Sequence, residues 1–390
     1  MKIGFESQLF LKGNKTGIAW YAENIIKELL KDSNNQYQCD YFSIQDSSHK
    51  VAELEMFKQQ GAVMNPCRWF HNVLYKLIWP FIPIPYRCFF GKKTDITQFF
   101  NYVVPPGVKG KKVTCVYDMA YRVYPETVRT KTRKWLQLTL EQSCERADAI
   151  VTISEFSKSQ IMKYLHIDAD KIWVAPCGVD REIYNLHGTL EQKEAIKAKY
   201  SIEGEYFLYL GTLEPRKNIE RLIEAYSLLV HDPSIKENIA KLVLAGGKGW
   251  LYETIFQKVH ELKLEDKVIF TGYIAETDKP ILMQGAKAFL FLSLYEGFGM
   301  PPLEAMACGT PVMVSNVSSL PEVVGDAALL ADPYSPESIA EGLRRLIQDD
   351  KLRTELSQKG SIRADEFNWA NSARVFKKIY QTLEIKSDSK

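Results

Sequence analysis

The sequence has little of what marks a secreted, membrane-spanning or fibrous protein. Its seven cysteines are odd in number and form no CxxC pair, so no disulfide framework is predicted. No run approaches the roughly 18 apolar residues that a membrane span needs. The acid Glu6 comes too early for the apolar core of a secretory signal. These absences predict a cytoplasmic protein.

Glycine and proline are also scarce, at 22 and 17 of 390 residues, which excludes a collagen-like chain. The net charge is only +2, so we expect no nucleic-acid partner. With 46% hydrophobic residues the chain can bury a large core, which excludes disorder for most of it. The charge is uneven, with 25 Lys and Arg against 19 Asp and Glu in residues 1–190. The first half is therefore the half suited to an anionic surface.

Short apolar strands alternate with amphipathic helices along most of the chain. Two series of strands are predicted, at 2–5, 112–117, 149–153 and 171–175, and then at 206–210, 241–245, 267–270, 288–292 and 311–314. Such alternation indicates parallel sheets with crossover helices. We therefore predict an α/β protein of two doubly wound, Rossmann-like domains, at 1–185 and 202–370, with a final helix in 371–390 that packs back on the first domain.

The richest motif is the stretch 295–311, YEGFGMPPLEAMACGTP. Pro301 and Pro302 suit the first turn of a helix, which puts Glu304 near the helix N-terminus. The preceding glycines let the backbone come close to a ligand, and a helix N-terminus favours a phosphate. Glu296 and Glu304 suit sugar hydroxyls, since a carboxylate is a strong acceptor. The motif predicts a site for a phosphorylated sugar.

A second motif, LGTLEPRKNI at 210–219, follows a predicted strand, and Asn218 is a candidate N-cap for the next helix. Arg216 and Lys217 then lie above the carboxyl edge of the sheet, where open α/β sheets bind ligands. Two adjacent cations at this edge can neutralise a diphosphate leaving group. No GxGxxG follows any predicted strand, which disfavours a Rossmann dehydrogenase.

These motifs occur in the order found in the family 4 retaining glycosyltransferases of the GT-B fold, which the chain resembles over nearly its whole length. Besides EPRKN at 214–218 and EGFGMPPLEAMACGTPV at 296–312, the matching segments are SEFSK at 154–158, VAPCGVD at 174–180, LAGG at 244–247 and FTGY at 270–273. The resemblance implies two domains that face a central cleft, the first binding the acceptor and the second the nucleotide sugar.

The resemblance also implies roles for single residues. Arg216 and Lys217 would hold the diphosphate of the sugar donor, Glu304 the ribose, and Glu296 the transferred sugar. Further implied sugar-donor positions are Gly17, Gly211, Thr212, Tyr273, Ile274, Phe298, Gly299, Met300, Pro301 and Leu303. The chain departs from the family pattern in having Tyr117 where many members have histidine. The retained Asp118 is therefore the implied catalytic contact to the acceptor or the transferred sugar.

The resemblance implies a retaining glycosyltransferase that moves mannose or rhamnose from a nucleotide diphosphate to a glycan or lipid-linked acceptor in bacterial surface polysaccharide synthesis. We expect no cofactor and no metal, because Asp168 and Asp170 form a DxD pair only within a turn, where Asp is common. Two alternatives stay open. One is a non-catalytic GT-B subunit that stabilises a partner transferase, and the other is a sugar-nucleotide epimerase or phosphorylase of the same fold.

The segment 66–93 combines eight aromatic residues and five cations with no acid. The cations are Arg68, Lys76, Arg87, Lys92 and Lys93. One interpretation is a buried helix and loop, and the other is a patch that binds an anionic membrane surface. The second interpretation predicts a peripheral position on the inner face of the cell membrane.

Overall fold

The computed structural model divides the chain into two compact units, of which the first comprises residues Met1–Cys177 and Trp369–Lys390, and the second Gly178–Asn368. It describes residues 1–11, 15–43, 51–91, 94–233, 235 and 239–388, with the backbone alone for 386–388. Lys92 and Lys93 lie outside the described residues. Among the described residues, no helix combines the length and the apolar composition needed to cross a membrane.

The first unit is built on a seven-stranded parallel sheet of order β3-β2-β1-β4-β5-β6-β7. Its strands are β1 Lys2–Glu6, β2 Gln36–Phe42, β3 Val63–Cys67, β4 Ile96–Phe99, β5 Lys111–Cys115, β6 Ala149–Thr152 and β7 Ile172–Val174. Its helices are α1 Gly17–Leu30, α2 Ala52–Gln59, α3 Asn72–Leu77, α4 Tyr86–Phe90, α5 Ala120–Val123, α6 Thr130–Arg146, α7 Glu155–Leu165 and, from the end of the chain, α16 Trp369–Asp388.

Helix α16 is held in the first unit by aromatic packing against α1. The ring of Tyr21 lies 5.8 Å from that of Trp369 and 6.4 Å from that of Phe376. The hydroxyl of Tyr380 donates a hydrogen bond of 3.2 Å to the side-chain oxygen of Gln98 on β4. These buried contacts place the last helix of the chain with the first sheet.

The second unit is built on a six-stranded parallel sheet of order β10-β9-β8-β11-β12-β13. Its strands are β8 Tyr206–Leu210, β9 Lys241–Ala245, β10 Val268–Gly272, β11 Ala288–Phe291, β12 Val312–Ser315 and β13 Leu329–Ala331. Its helices are α8 Leu190–Lys199, α9 Ile219–Val230, α10 Glu253–Glu261, α11 Lys279–Gln284, α12 Met300–Ala307, α13 Leu320–Val324, α14 Pro336–Gln348 and α15 Asp350–Asp365.

Both sheets reverse their strand order once, and this reversal positions the site. In the second sheet the chain runs outward from β8 through β9 to β10, then returns to β11 on the other side of β8. The chain therefore leaves β8 and β11 in opposite directions across the sheet, and open α/β sheets bind ligands at such a reversal of strand order. The two richest motifs of the sequence are the loops that follow these two strands.

The structure corrects the strand predictions at several positions. The strand predicted at 112–117 is 111–115, and β2, β3, β4 and β13 are not predicted at all. Polar residues interrupt the apolar pattern of β2 even though they are buried, since Gln38 donates a 2.8 Å hydrogen bond to Asp40, and Asn65 on β3 donates one of 2.7 Å to the same carboxylate. A search for apolar runs misses strands whose interior positions carry hydrogen-bonded polar side chains.

The loops after β8 and β9 run side by side at very close range. The amide of Gly211 donates to the carbonyl of Ala245 at 2.9 Å, and the amide of Leu213 donates to that of Gly247 at 3.0 Å. Gly246 has a φ of +147°, and a Cβ atom there would lie 1.9 Å from the carbonyl oxygen of Gly211. Only glycine allows this approach.

We therefore expect Gly246→Ala to lower the free energy of unfolding by at least about 2 kcal/mol, because strain in φ adds to a clash with a backbone oxygen. Urea unfolding measures the loss. Gly247→Ala is the matched control, since a Cβ atom there meets nothing within 4 Å. Equal stability of the two variants would contradict the assigned loop geometry.

Candidate functional site

The predicted cations and the first predicted carboxylate come together at the strand reversal of the second sheet. Arg216 and Lys217 lie on one turn of 3-10 helix, Pro215–Lys217, after β8. Glu296 lies in the loop after β11. The two loops are joined through the backbone, because the amide of Leu294 donates to the carbonyl of Arg216 at 2.9 Å. Residues 79 and 80 positions apart in sequence are thereby in direct contact.

Glu296 is held between the two cations. The Nζ of Lys217 lies 2.6 Å from its Oε1, and the Nη1 of Arg216 lies 3.0 Å from its Oε2. The other guanidinium nitrogen of Arg216 lies 3.1 Å from the carboxylate of Glu214. The side chains of Arg216, Lys217 and Glu296 are only 17%, 12% and 11% exposed. We call Glu214, Arg216, Lys217 and Glu296 the ion cluster.

Burial and charge act on this cluster in opposite directions. Burial of Glu296 disfavours its ionised form, but the positive charges of Arg216 and Lys217 outweigh that effect and lower its pKa to about 2. Burial lowers the pKa of Lys217, and the charge of Arg216 lowers it further. With two cations and two carboxylates, the ion cluster is neutral as a whole. The loop position of Arg216 and Lys217 predicts two unpaired positive charges, but in the structure both are paired with carboxylates.

Two serines that the sequence analysis does not identify fix the backbone of the Glu296 loop. The amide of Glu296 donates to Oγ of Ser318 at 3.2 Å. The buried Oγ of Ser319 lies 2.8 Å from the carbonyl oxygen of Phe298 and 3.0 Å from that of Glu296, and these two acceptors share its single proton. The sequence signal for these residues is weak, since consecutive serines before a helix usually serve as caps. Here they orient the loop of the neighbouring strand.

Helix α12 begins as the proline pair predicts. Pro301 and Pro302 occupy its first turn, and Gly299 precedes it with a φ of +119°. A Cβ atom at Gly299 would lie 2.7 Å from the side chain of Leu320, so this position also requires glycine. The positive end of α12 lies next to the loop that carries Glu296, where it favours an anion. Pro301 and Pro302 have no N–H, so Met300 carries the first amide of the helix.

Glu304, the second predicted carboxylate, lies one turn inside α12. Burial raises its pKa to about 7, and the opposing charges of Lys279 and Glu276 and a hydrogen bond from Tyr184 modify this effect. Lys279 and Glu276 pair with each other at 2.6 Å. Tyr184 is a further residue of this region that the sequence analysis does not single out. Glu304 is thus in a less charged setting than Glu296.

The remaining predicted positions of the second unit differ in what they can offer a ligand. The side chains of Ile274, Phe298 and Leu303 are buried in the unit, so only their backbones could meet a ligand. Tyr273, after β10, is 70% exposed, and its hydroxyl lies 3.3 Å from the carboxylate of Glu276. Gly211 and the exposed Thr212 follow β8, and Met300 is the first residue of α12.

Asn218 ends the turn that carries the cations, and its role differs from the predicted N-cap. It precedes α9 but has a left-handed φ of 59° and forms no side-chain cap. The side-chain Nδ2 of Asn218 instead donates a 2.7 Å hydrogen bond to the carbonyl oxygen of Pro333, after β13. The side chain therefore ties the β8 loop to a third strand end.

Two predicted residues belong to the first unit. Gly17 is the first residue of α1, and a Cβ atom there would meet nothing within 4 Å. Asp118 follows β5, and its carboxylate accepts a 2.9 Å hydrogen bond from the amide of Ala120. All the other predicted site residues belong to the second unit.

Within the part of the chain that the structure describes, no three His, Cys, Asp or Glu side chains are grouped as metal ligands. Asp168 and Asp170 lie at the short turn Ala169–Lys171 that precedes β7. The DxD pair is therefore in the turn where the sequence analysis places it, in the first unit.

Replacing Glu296 by glutamine tests the ion cluster through its pH dependence. The pKa of Glu296 is about 2 in the folded protein against an ordinary 4.5, so its stabilisation is fully present above pH 4.5 and is lost as the pH falls toward 2. At neutral pH we expect E296Q to lower the free energy of unfolding by about 3 kcal/mol. Urea unfolding from neutral pH downward should show the gap to wild type closing. A gap that stays constant with pH would contradict the assignment.

Glu203→Gln is the matched control, because this carboxylate is 88% exposed and pairs only at 3.5 Å with Lys241. An exposed pair of this kind contributes little, so the control should match wild type at every pH.

Two family models match most of the chain between them. A model of "Glycosyltransferase Family 4" matches residues 16–183, and one of "Glycosyl transferases group 1" matches residues 192–363. The chain is 34% identical to the O-antigen chain mannosyltransferase B of Escherichia coli, over 73% of each chain. It is 36% identical to a serotype-specific mannosyltransferase, WbdA, of the same species, over 59% of this chain but only 28% of that protein.

Among solved structures, the chain is similar to HepE of Anabaena in complex with UDP and glucose. The TM-score is 0.71 at 19% identity, over 98% of this chain and 99% of that one. At this identity the likeness concerns the fold.

Proposed function

The chain belongs to the family of group 1 glycosyl transferases, and from this membership we propose that it transfers mannose from a nucleotide-diphosphate donor to a hydroxyl of a glycan or lipid-linked acceptor in bacterial surface polysaccharide synthesis. Its fold is that of the GT-B glycosyltransferases, with a parallel α/β sheet in each unit. The observation that carries the proposal is the ion cluster beside the N-terminus of α12, at the strand reversal of the second sheet.

The ion cluster supplies charge for a diphosphate only if its internal pairs rearrange. When the diphosphate enters, Arg216 and Lys217 exchange the carboxylate of Glu296 for phosphate oxygens. Glu296 is then free to accept hydrogen bonds from the hydroxyls of the sugar, since a carboxylate is a strong acceptor. The same carboxylate neutralises the cations before binding and orients the sugar after it.

The chemical step requires stabilisation of the leaving diphosphate. Negative charge develops on the phosphate oxygen as the bond to the anomeric carbon breaks. Arg216, Lys217 and the positive end of α12 lie where they can stabilise that charge in a largely buried setting, which is the physics of an oxyanion hole. Two fixed cations supply what a divalent metal supplies elsewhere, so we propose that transfer is independent of metal. Retention of configuration is part of the proposal through family membership.

The other implied contacts follow from their surroundings. Glu304, in the less charged setting, accepts from the ribose hydroxyls, and the exposed ring of Tyr273 lies beside the base. Backbone amides of Phe298, Gly299 and Met300 meet sugar and phosphate oxygens. Asp118 of the first unit contacts the acceptor or the transferred sugar, and Gly17 opens α1 toward the phosphates.

Mannose is proposed because relatives at 34% and 36% identity are named mannosyltransferases of O-antigen or serotype. The retained cluster of Arg216, Lys217 and Glu296 favours an active enzyme over a non-catalytic subunit. An epimerase or phosphorylase of the same fold would use the same phosphate contacts, and only the products separate it from a transferase.

The function is tested with a panel of GDP-mannose, dTDP-rhamnose and UDP-glucose, each supplied with a lipid-linked glycan acceptor and each assayed with and without EDTA. We expect mannose transfer from GDP-mannose at the same rate in both conditions, and a product with retained anomeric configuration. Transfer from another donor would overturn the proposed sugar. Loss of activity in EDTA that magnesium restores would overturn metal independence. Epimer formation, or no turnover with any donor, would favour the alternatives.

Arg216→Ala and Lys217→Ala should each lower kcat by about 10² to 10³, because each removes one stabiliser of the leaving group. Lys241→Ala is the control, since this cation lies at the amino end of β9 and pairs with Glu203. Steady-state kinetics with saturating sugar donor checks the prediction. Near-normal kcat in either loop variant would refute the diphosphate assignment.

A further inference from the structure

Residues 66–91 carry two sets of hydrophobic side chains in different surroundings. One set is part of the core of the first unit, namely Phe70, Trp79, Tyr86, Phe89 and Phe90. The other set is exposed to solvent, namely Trp69, Val73, Leu74, Leu77, Phe81 and Ile82. The two interpretations of this segment are thus both partly right, because most of its aromatic rings are buried while an outer apolar surface is left.

Helix α3 has apolar side chains on its outer face as well as its inner one. Val73 and Leu77 are four residues apart and Leu74 and Leu77 three, so they share one face of the helix. Tyr75 is turned inward, and its hydroxyl donates to the carboxylate of Glu6 at 3.2 Å. A contiguous exposed apolar surface of this kind usually marks an interaction site.

The same segment carries exposed cations. Arg68, Lys76 and Arg87 are all exposed, and residues 66–91 contain no Asp or Glu. A solvated surface segment would ordinarily mix both signs of charge. The single sign indicates an anionic partner.

The structure adds a second basic segment that the sequence analysis does not connect with the first. The ring of Phe81 meets that of Trp135 on α6 edge-on, at 5.9 Å. Lys131 and Leu138 lie four residues before and three after Trp135, so they flank it on the same helix face. Residues 127–140 carry Arg129, Lys131, Arg133 and Lys134 and no acid, and the exposed Glu126 and Glu141 bound this segment.

We propose that these two segments form one docking surface for an anionic membrane. This apolar-basic face comprises the exposed apolar and basic side chains of residues 68–87 together with Arg129, Lys131, Lys134 and Leu138. Its protruding apolar side chains enter the boundary between headgroups and acyl chains, and its cations remain at the level of anionic headgroups. A membrane needs no complementary pocket to receive such side chains, which favours it over an acidic protein.

The surface is firmly attached to the first sheet. Beneath it, the hydroxyl of Tyr86 donates to the buried carboxylate of Asp40 on β2, and Tyr75 binds Glu6 on β1. The Nε1 of Trp79 donates to the carbonyl of Ile84 at 3.0 Å. The outer residues can therefore be changed without removing the contacts that fold the segment. The inference goes beyond glycosyl transfer, because membrane binding needs neither sugar donor nor acceptor.

Co-sedimentation of the full chain with vesicles tests the proposal. Wild type should bind vesicles of phosphatidylcholine with phosphatidylglycerol and not phosphatidylcholine alone. Binding should weaken at least tenfold when salt is raised to about 1 M, where the Debye length is about 3 Å. The triple variant R87Q, K131Q and K134Q should bind about 100-fold more weakly at low salt, at about fivefold per cation. The variant L77S and I82S should weaken binding about tenfold and leave its salt dependence unchanged.

The matched control is R345Q, K351Q and I362S, which changes two exposed cations and one exposed apolar residue of the second unit. It should bind as wild type does, and all variants should keep the wild-type melting temperature. Failure of wild type to bind anionic vesicles at low salt, equal binding to neutral vesicles, or equal loss in the control would overturn the proposal. Binding to polyglutamate but not to vesicles would overturn it in favour of an acidic protein.

Discussion

The organisation of the second unit depends on one carboxylate held between two cations. Glu296 accepts from Lys217 at 2.6 Å and from Arg216 at 3.0 Å, and all three side chains are largely removed from water. Removing Glu296 would leave the buried Lys217 without the carboxylate it pairs with, which is costly. These two ion pairs also join the loops after β8 and β11. The two strands are neighbours only because the sheet reverses its strand order there. The ion cluster can therefore form only with this strand order.

The first unit uses buried carboxyl groups differently. Glu6 and Asp40 face each other on neighbouring strands, and each holds a tyrosine hydroxyl from the segment that covers the sheet. Burial raises the pKa of Asp40 to about 7, while hydrogen bonds from Tyr86, Asn65 and Gln38 act against that rise. Asp40 is thus satisfied by neutral hydrogen-bond donors, whereas Glu296 is satisfied by charge. The first arrangement fixes an aromatic segment, and the second neutralises two cations at the edge of the sheet.

The structure places two motifs where the sequence predicts them but revises the interpretation of both. Arg216 and Lys217 lie at the predicted edge of the sheet, but each is already paired with a carboxylate. The proposed binding of a diphosphate is therefore an exchange of partners rather than the filling of an empty cationic site. The segment 66–91 is neither wholly core nor wholly surface, because Trp79 is completely buried while Trp69 is mostly exposed. In both places the residue types indicated the kind of chemistry, but they did not reveal which residue each side chain contacts.

The sequence by itself determined the fold class, most strands of the second sheet, the beginning of α12 at its proline pair and the positions of the two loops, because hydrophobic periodicity, Gly and Pro act locally. It did not reveal β2, whose interior Gln38 and Asp40 satisfy each other, or Ser318 and Ser319, which orient a loop 21 to 23 residues away. It also could not place Phe81 against Trp135. These features were decided by tertiary structure alone, because hydrogen bonds and packing between distant segments depend on which strands become neighbours, and no local pattern encodes that order.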